Sequence, residues 1–197
     1  MKIFIRTLFV FIIILFSKNI IAKNNWIIDK KLSEIYFQLS LLPADDVIVR
    51  FNEFDSYIFI DNNNTSINNF NLSIIINSIE LNNSKLKDFL LSNLFFNVKK
   101  YPNLIVKTEK IIIQKNKNAT AKIQIKNISH ELPVTLEIFQ LTKDLIQIKT
   151  KFVVPRKLYG LGKNQWQSKF EFFAKEKSIL LNKIKFSTNL FFFKQLD

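Results

Sequence analysis

The stretch LKDFLLSNLFFNVKKYP, Leu86 to Pro102, interrupts a chain that otherwise alternates apolar and polar residues. Its apolar residues recur at helical spacing, at Leu86, Phe89, Leu90 and Leu94. Ser84 is a suitable N-cap, and Pro102 ends the run because proline biases the preceding residue towards extended conformations. The pattern predicts one short amphipathic helix over residues 84–94, with Phe95 and Phe96 continuing its apolar stripe beyond the helix.

Segments of period two lie on both sides of this helix, and that spacing is typical of β-strands with one apolar face. Eight such segments are centred on residues 35–39, 47–54, 70–76, 104–113, 121–125, 134–138, 146–154 and 184–192. The three-residue step from Phe51 to Phe54 indicates a bulge in a long strand. The polar residues between Ser129 and Pro133 predict a hairpin turn.

About eight antiparallel strands with short polar turns must hide their apolar face from water. Closing the sheet into a barrel hides that face, removes exposed edges and encloses space for one small ligand. The strand pattern alone leaves a two-sheet sandwich open as the alternative. Because no repeat and no proline- or glycine-rich linker is visible, the pattern indicates a single domain.

Short motifs in chain order carry a resemblance to a known family. Inside the opening stretch they are Lys87-Asp88, Leu91-Ser92, Phe95-Phe96 and Tyr101-Pro102. Elsewhere they are WIIDKKLSEIYF from Trp26 to Phe37, RFNEFDSYI from Arg50 to Ile58, NISHELPVTL from Asn127 to Leu136 and RKLYGLG from Arg156 to Gly162. Together they resemble the YceI-like family. The chain departs from it at Arg50, Ser56 and Asn127, where the family commonly has glycine.

The resemblance implies a lipocalin-like antiparallel β-barrel of about eight strands that binds polyisoprenoid-type lipids in the bacterial periplasm. It also favours the barrel over the sandwich. We therefore expect a mainly β, YceI-like lipid-binding domain over residues 23–197, with the one short helix near residues 84–94.

The N-terminus has the pattern of a secretory signal peptide over residues 1–22. Lys2 and Arg6 precede an uncharged apolar run from Thr7 to Ser17, and Ala22 offers a small residue for cleavage. The alternative is an uncleaved membrane anchor, but a spanning helix needs about 20 apolar residues and this run is roughly half as long. The pattern predicts export to the periplasm.

The net charge of +13 raises the possibility of nucleic-acid binding. Lys2, Arg6 and Lys18 would leave with the signal peptide, and the other basic residues are scattered singly rather than clustered in a stripe. We therefore expect no nucleic-acid partner, but transient contact with anionic membrane surfaces. Cysteine is absent, so an exported barrel of this sequence must be held by its core and not by disulfides.

Catalytic and metal-binding patterns are not apparent in the sequence. His130 is the only histidine, and a Ser-His-Asp triad requires three side chains that converge in space, which neighbours in a turn rarely do. We expect His130 to be a solvated turn residue. With no thiols and no acidic calcium-binding loop, we expect no enzymatic activity, no metal and no cofactor other than a bound lipid.

The candidate ligand-binding residues are the apolar and aromatic side chains predicted to face inward, together with polar groups at one mouth of the barrel. They are Phe37, Phe51, Phe54, Phe89, Leu90, Leu94, Phe95, Phe96, Tyr101, Arg156 and Tyr159. The apolar members have an alternative role as ordinary core. Arg156 follows an inward row at a strand end, where its guanidinium either meets a lipid head group or ties down the turn at Tyr159-Gly160.

These observations lead to three hypotheses. The first is an exported carrier that holds a long polyisoprenoid or quinone-like lipid in the barrel. The second is an envelope structural protein whose interior is filled by its own phenylalanines. The third is an enzyme acting on an apolar substrate, and it would require a buried polar pair among inward positions that are nearly all apolar. Residues 160–177 are rich in aromatics and are predicted to fold over one end of the barrel.

Overall fold

The computed structural model describes residues 25–42, 46–61, 65–113, 118–162 and 179–195. The predicted signal peptide and most of residues 160–177 lie outside these ranges. The described strands are β1 (Asn25–Ile28), β2 (Glu34–Leu42), β3 (Val47–Phe51), β4 (Phe54–Ile60), β5 (Ser66–Ile75), β6 (Ile79–Glu80), β7 (Asn103–Ile112), β8 (Asn118–Ile125), β9 (Ile128–Thr142), β10 (Leu145–Pro155) and β11 (Ile179–Lys194). The helices are α1 (Ser84–Leu91) and two short 3₁₀ helices, Ile76–Ser78 and Arg156–Tyr159.

The sheet closes on itself, because β1 pairs with β4 on one side and with β11 on the other. Trp26 thus lies opposite both Ile58 and Lys194. The pairs β1 and β2, β3 and β4, and β5 and β6 are successive parts of three long, interrupted strands. With β7 to β11 they make a closed antiparallel barrel of eight strands, which confirms the barrel prediction and excludes the sandwich.

The interruptions follow from local sequence. Between β1 and β2 the Asp29 carboxylate accepts hydrogen bonds from the backbone N–H groups of Lys31 and Leu32, at 2.8 and 3.1 Å, as aspartate often does in turns. Between β3 and β4, Phe51 and Phe54 are both buried while the two residues that separate them are exposed. That arrangement agrees with the bulge predicted from their three-residue step.

Side chains alternate between the inside and the outside of the barrel along every long strand. In β10 the even-numbered residues from Ile146 to Val154 are buried and line the interior, whereas Lys149, Lys151 and Val153 are exposed. The core is therefore the inside of the barrel itself, and α1 adds its apolar face to it.

The β8–β9 turn differs from the prediction. It lies at Lys126 and Asn127, whose φ angles are 54° and 60°, and β9 already begins at Ile128. The predicted turn over residues 129–133 is therefore wrong, and Pro133 lies within β9, opposite Thr120. Asparagine tolerates the left-handed conformation better than most residues, which explains how Asn127 replaces the glycine that is common in the resembled family.

The cap and the end of α1 also differ from the prediction. The N-cap is Asn83 rather than Ser84, and its side-chain oxygen accepts a hydrogen bond from Leu86 N at 3.0 Å. The helix ends at Leu91 instead of Leu94. Ser92 causes the early end, because its backbone is extended and its hydroxyl donates to the Phe89 carbonyl at 2.7 Å.

Candidate functional site

Helix α1 and the turn that follows it close one end of the barrel, which we call the helix end. Leu86, Phe89 and Leu90 are buried on the helix face that joins the core. Phe96 N donates to the Leu90 carbonyl at 3.0 Å, which folds the chain back after the helix. The backbone N–H of Gly162 donates to Leu94 O at 2.9 Å and links this turn to the end of the RKLYGLG motif.

Seven phenylalanine rings form a continuous cluster between the helix end and the barrel wall, and we call it the aromatic cluster. Phe152 stacks on Phe186 with centroids 4.9 Å apart, and Phe37 lies 5.6 Å from Phe186 and 5.3 Å from Phe51. Edge-to-face and tilted contacts carry the cluster onward to the helix. They join Phe37 to Phe96, Phe96 to Phe95 and Phe95 to Phe89, at 5.9, 4.8 and 5.8 Å.

The structure brings most of the predicted apolar site residues together here. The buried ones are Phe37, Phe51, Phe54, Phe89, Leu90, Phe95 and Phe96, whereas Leu94 is half-buried. Four of the cluster's rings, those of Phe37, Phe51, Phe95 and Phe96, have no exposed surface at all. They pack against one another as a core does, and their contact with a ligand stays a prediction.

Arg156 donates hydrogen bonds to three backbone carbonyls. Its Nη1 reaches Leu161 O at 2.9 Å and Gly162 O at 3.0 Å, and its Nε reaches Leu181 O at 3.2 Å. Partial burial lowers the pKa of the guanidinium, because desolvation disfavours its charge. Arg156 therefore holds the turn after β10 against the bulged start of β11, which is the structural alternative considered from the sequence. Contact with a lipid head group stays a prediction.

Tyr159 is fully buried, and its hydroxyl donates to Ile123 O at 3.1 Å. Desolvation raises the pKa of its phenol to about 12. His130 lies in β9 and packs edge to face on Tyr159, with ring centroids 5.1 Å apart, so the prediction of a solvated turn histidine is wrong. Tyr101 is half-buried, with the Lys100 ammonium 5.4 Å from its ring centroid.

Sequence reasoning missed four polar residues on the inner face, Ser56, Thr108, Thr150 and Thr188, which we call the polar belt. All four are buried, and each belongs to an inward row whose other buried members are apolar. The Oγ1 atoms of the three threonines have no hydrogen-bond partner among the described residues. Strand parity already places these four residues on the inner face. Threonine is so common in strands, however, that its presence there does not by itself indicate a binding site.

A groove of about 760 Å³ crosses the outer face of β10, β11, β2 and β3. One cross-strand row runs along it, from Val153 through Lys185 and Gln38 to Ile48. Ile48 is 65% exposed and Val153 is 41% exposed. The groove therefore combines exposed apolar side chains with the ammonium groups of Lys185 and of Lys151, which also lines it.

The described residues contain neither a membrane-spanning helix nor a metal-binding cluster. No helix there is long and apolar enough to cross a membrane. Nor does that part of the chain hold a group of three or more His, Cys, Asp or Glu residues that could bind a metal ion.

A closed antiparallel barrel of eight strands, with an apolar interior and a helix over one end, defines a lipocalin-like β-barrel protein. The YceI-like domain model matches residues 26–188, so the chain belongs to the YceI-like family. A comparison with curated proteins finds no sequence match.

Solved structures of low sequence identity share the fold. Burkholderia cenocepacia BcnA is 16% identical, with a TM-score of 0.69, over 83% of this chain and 98% of its own. A polyisoprenoid binding domain from Saccharophagus degradans, described as implicated in plant cell wall breakdown, is 13% identical, with a TM-score of 0.66, over 86% and 98%. The Campylobacter jejuni YCEI protein is 19% identical, with a TM-score of 0.57, over 75% and 87%.

Proposed function

We propose that this protein is an exported, non-enzymatic carrier that holds a long polyisoprenoid or quinone-like lipid inside its barrel. The observation that best supports this is the inner face, where residues from all eight strands make one apolar surface within a closed wall. A structural neighbour described as a polyisoprenoid binding domain supports the choice of ligand class.

Apolar burial is sufficient to bind such a lipid. Transfer of each methylene-sized group from water to the interior contributes about 0.8 kcal/mol, so a long tail binds tightly even after the cost of ordering it. The buried residues of the described chain include no charged side chain. The interior therefore suits a hydrocarbon tail and lacks a buried pair for acid–base catalysis, which supports a binding role over an enzymatic one.

Export to the periplasm follows from the signal-peptide pattern over residues 1–22 and completes the proposal. A periplasmic lipid carrier must collect its lipid from a membrane. The outer groove, with Ile48 and Val153 exposed beside Lys151 and Lys185, suits brief contact with an anionic bilayer surface. No role in nucleic-acid binding is proposed, because the basic residues are dispersed.

The aromatic cluster favours a second candidate function. Its rings contact one another in an unbroken series and several have no exposed surface, as expected of an interior filled by its own side chains. In that case the protein would be a structural component of the envelope and would carry no lipid.

Ala121 offers a test that separates the two functions. It is a small, fully buried residue on the inner face of β8, and Thr120 beside it points outward and is exposed. We would purify the wild-type protein and the variants Ala121→Trp and Thr120→Trp from their own periplasm. Native mass spectrometry would weigh each protein, organic extraction would identify any lipid, and circular dichroism would monitor the fold.

If the protein is a carrier, its interior has space for a lipid, and the indole of Ala121→Trp should fill that space. This variant should then fold and contain no lipid, whereas the wild-type protein and Thr120→Trp should each hold one long isoprenoid or quinone-type lipid. A self-filled barrel has no room for an indole. If the protein is structural, overpacking should destabilise Ala121→Trp by at least about 1–3 kcal/mol. The wild-type protein should then contain no lipid and should not bind added isoprenoids. The second pattern would exclude the carrier.

A further inference from the structure

The four residues of the polar belt lie on four different strands, β4, β7, β10 and β11. Ser56 follows Phe54 and precedes Ile58 in the inward row of β4, and the three threonines likewise have buried apolar residues before and after them in their strands. The four side chains are exposed by only 3, 8, 6 and 6% for Ser56, Thr108, Thr150 and Thr188. The hydroxyl groups of the belt therefore interrupt apolar inward rows on four of the eight strands.

The hydrogen bonding of the belt is incomplete. Ser56 Oγ donates to Asn71 O at 2.7 Å. Thr108, Thr150 and Thr188 have buried Oγ1 atoms with no partner among the described residues. Thr150 and Thr188 are directly opposite each other on β10 and β11, so their side chains are cross-strand neighbours on the inner face. Because a buried hydroxyl without a partner is costly, such a pair favours an acceptor beyond the described residues, as a bound ligand would supply.

The chemistry of the belt restricts the acceptor. Hydroxyl groups are neutral, and no buried residue of the described chain carries a charged side chain. An anionic phosphate or carboxylate placed here would lose its hydration without gaining a counter-charge, which is strongly unfavourable. A carbonyl or hydroxyl oxygen can accept the threonine protons at no such cost. The Thr side chain can also rotate about its Cα–Cβ bond to aim its hydroxyl at the ligand.

The polar side chains at the helix end already donate hydrogen bonds to backbone carbonyls of the protein. Arg156 donates to the carbonyls of Leu161, Gly162 and Leu181, and Tyr159 donates to Ile123 O. These donors hold the backbone together. The three threonine hydroxyls, which have no partner in the described part of the chain, are instead in the interior, where a ligand would lie.

We propose that the polar belt is the binding site for a neutral oxygen group of the bound lipid, with Thr150 and Thr188 as its principal donors. The protein then selects neutral lipids that carry a carbonyl or hydroxyl over pure hydrocarbons and over lipids with an anionic head. This inference rests on the proposed carrier function and specifies which chemical class of lipid it takes.

Three probes and two variants test the proposal. The probes are the ketone farnesylacetone, the hydrocarbon squalene and the anionic farnesyl diphosphate, each added to delipidated protein. The first variant, Thr150→Val/Thr188→Val, removes both hydroxyls and keeps the side-chain shape. The control, Thr135→Val, makes the same change at an exposed position on β9. Calorimetry measures affinity, and infrared spectroscopy of ¹³C-labelled ketone reports hydrogen bonding to its carbonyl.

The wild-type protein and Thr135→Val should bind the ketone most tightly and lower its carbonyl stretching frequency. The double valine variant should bind the ketone about 10- to 100-fold more weakly, from roughly 3- to 10-fold for each lost hydrogen bond, with squalene affinity unchanged. If that variant does not fold, Thr188→Val alone should give the effect of one hydrogen bond. The probe ranking in the wild-type protein is a test that needs no variant.

Equal affinity for ketone and squalene, with an unshifted carbonyl band, would overturn the belt proposal while leaving the carrier function intact. Ketone binding that is unaffected by the valine substitutions would have the same meaning. Failure of all three probes to bind would refute the carrier function, and the belt assignment with it.

Discussion

Replacing Arg156 by lysine separates the structural role of this side chain from a role in head-group binding. The guanidinium makes three hydrogen bonds to carbonyls in two segments, and a single ammonium cannot reach all of them. Hydrogen bonds from charged donors contribute up to about 3 kcal/mol each, but Arg156 is only half-buried and water can replace part of the loss. If the ammonium keeps one of the three bonds, the loss of the other two at about 1 kcal/mol each should lower the free energy of unfolding by about 2 kcal/mol.

Urea unfolding followed by circular dichroism measures this loss. With a denaturant slope of about 2 kcal/mol/M, the midpoint should fall by about 1 M. Arg50→Lys is the matched control, because exposed Arg50 makes, among the described residues, a 3.7 Å ion pair with Glu34 and a distant contact with the Tyr36 ring. It should change the stability by less than about 1 kcal/mol. Wild-type stability in Arg156→Lys together with weakened lipid binding would refute the structural role.

Three further changes test the belt, the turn before β5 and the helix cap. Thr188→Val should raise the free energy of unfolding of the lipid-free protein by about 1 kcal/mol in urea titrations, because it removes a buried hydroxyl that has no partner within the described ranges. A loss of stability would contradict this expectation. The Asp61 carboxylate accepts hydrogen bonds from Thr65 and Ser66, which lower its pKa from 3.8 to about 2. The ionised Asp61 carboxylate therefore adds stability above about pH 4, and this contribution disappears as the pH falls to 2. Asp61→Asn should reduce the acid dependence of the urea midpoint. An unchanged dependence of the midpoint on pH would contradict the hydrogen bonding of Asp61 in this turn. Asn83→Ala should cost about 1 kcal/mol by calorimetric melting, whereas Ser84→Ala should cost less, and equal losses would contradict the cap at Asn83.

Most of the barrel could be predicted because its signals are local. The strands follow from alternation of period two, the helix from spacing of period 3.6, and the bulge from the step between Phe51 and Phe54. The hairpin turn was misplaced by a few residues because Lys126 and Asn127 adopt left-handed backbone conformations that no apolar pattern reports. The N-cap was assigned one residue late because asparagine and serine cap helices equally well, and only the hydrogen bond to Leu86 distinguishes them.

The candidate site was only partly predictable. Its apolar members could be identified from strand parity, which places Phe37 and Phe51 on the inside. The partners of Arg156 could not be identified, because the carbonyl of Leu181 belongs to another strand and becomes available only where β11 bulges. His130 was misplaced with its turn, so its contact with Tyr159 was not anticipated.

The sequence by itself determined the alternation of strands, the position of helix α1, the inward apolar rows and the resemblance to the YceI-like family. These properties depend on neighbours in the chain, which a pattern reports directly. Only the tertiary structure decided that Thr150 and Thr188 meet, that the phenylalanine rings touch one another, and that Arg156 is occupied with carbonyls. Such pairings depend on register and closure, because the strand stagger around the barrel, and not the local pattern, sets which distant residues face each other.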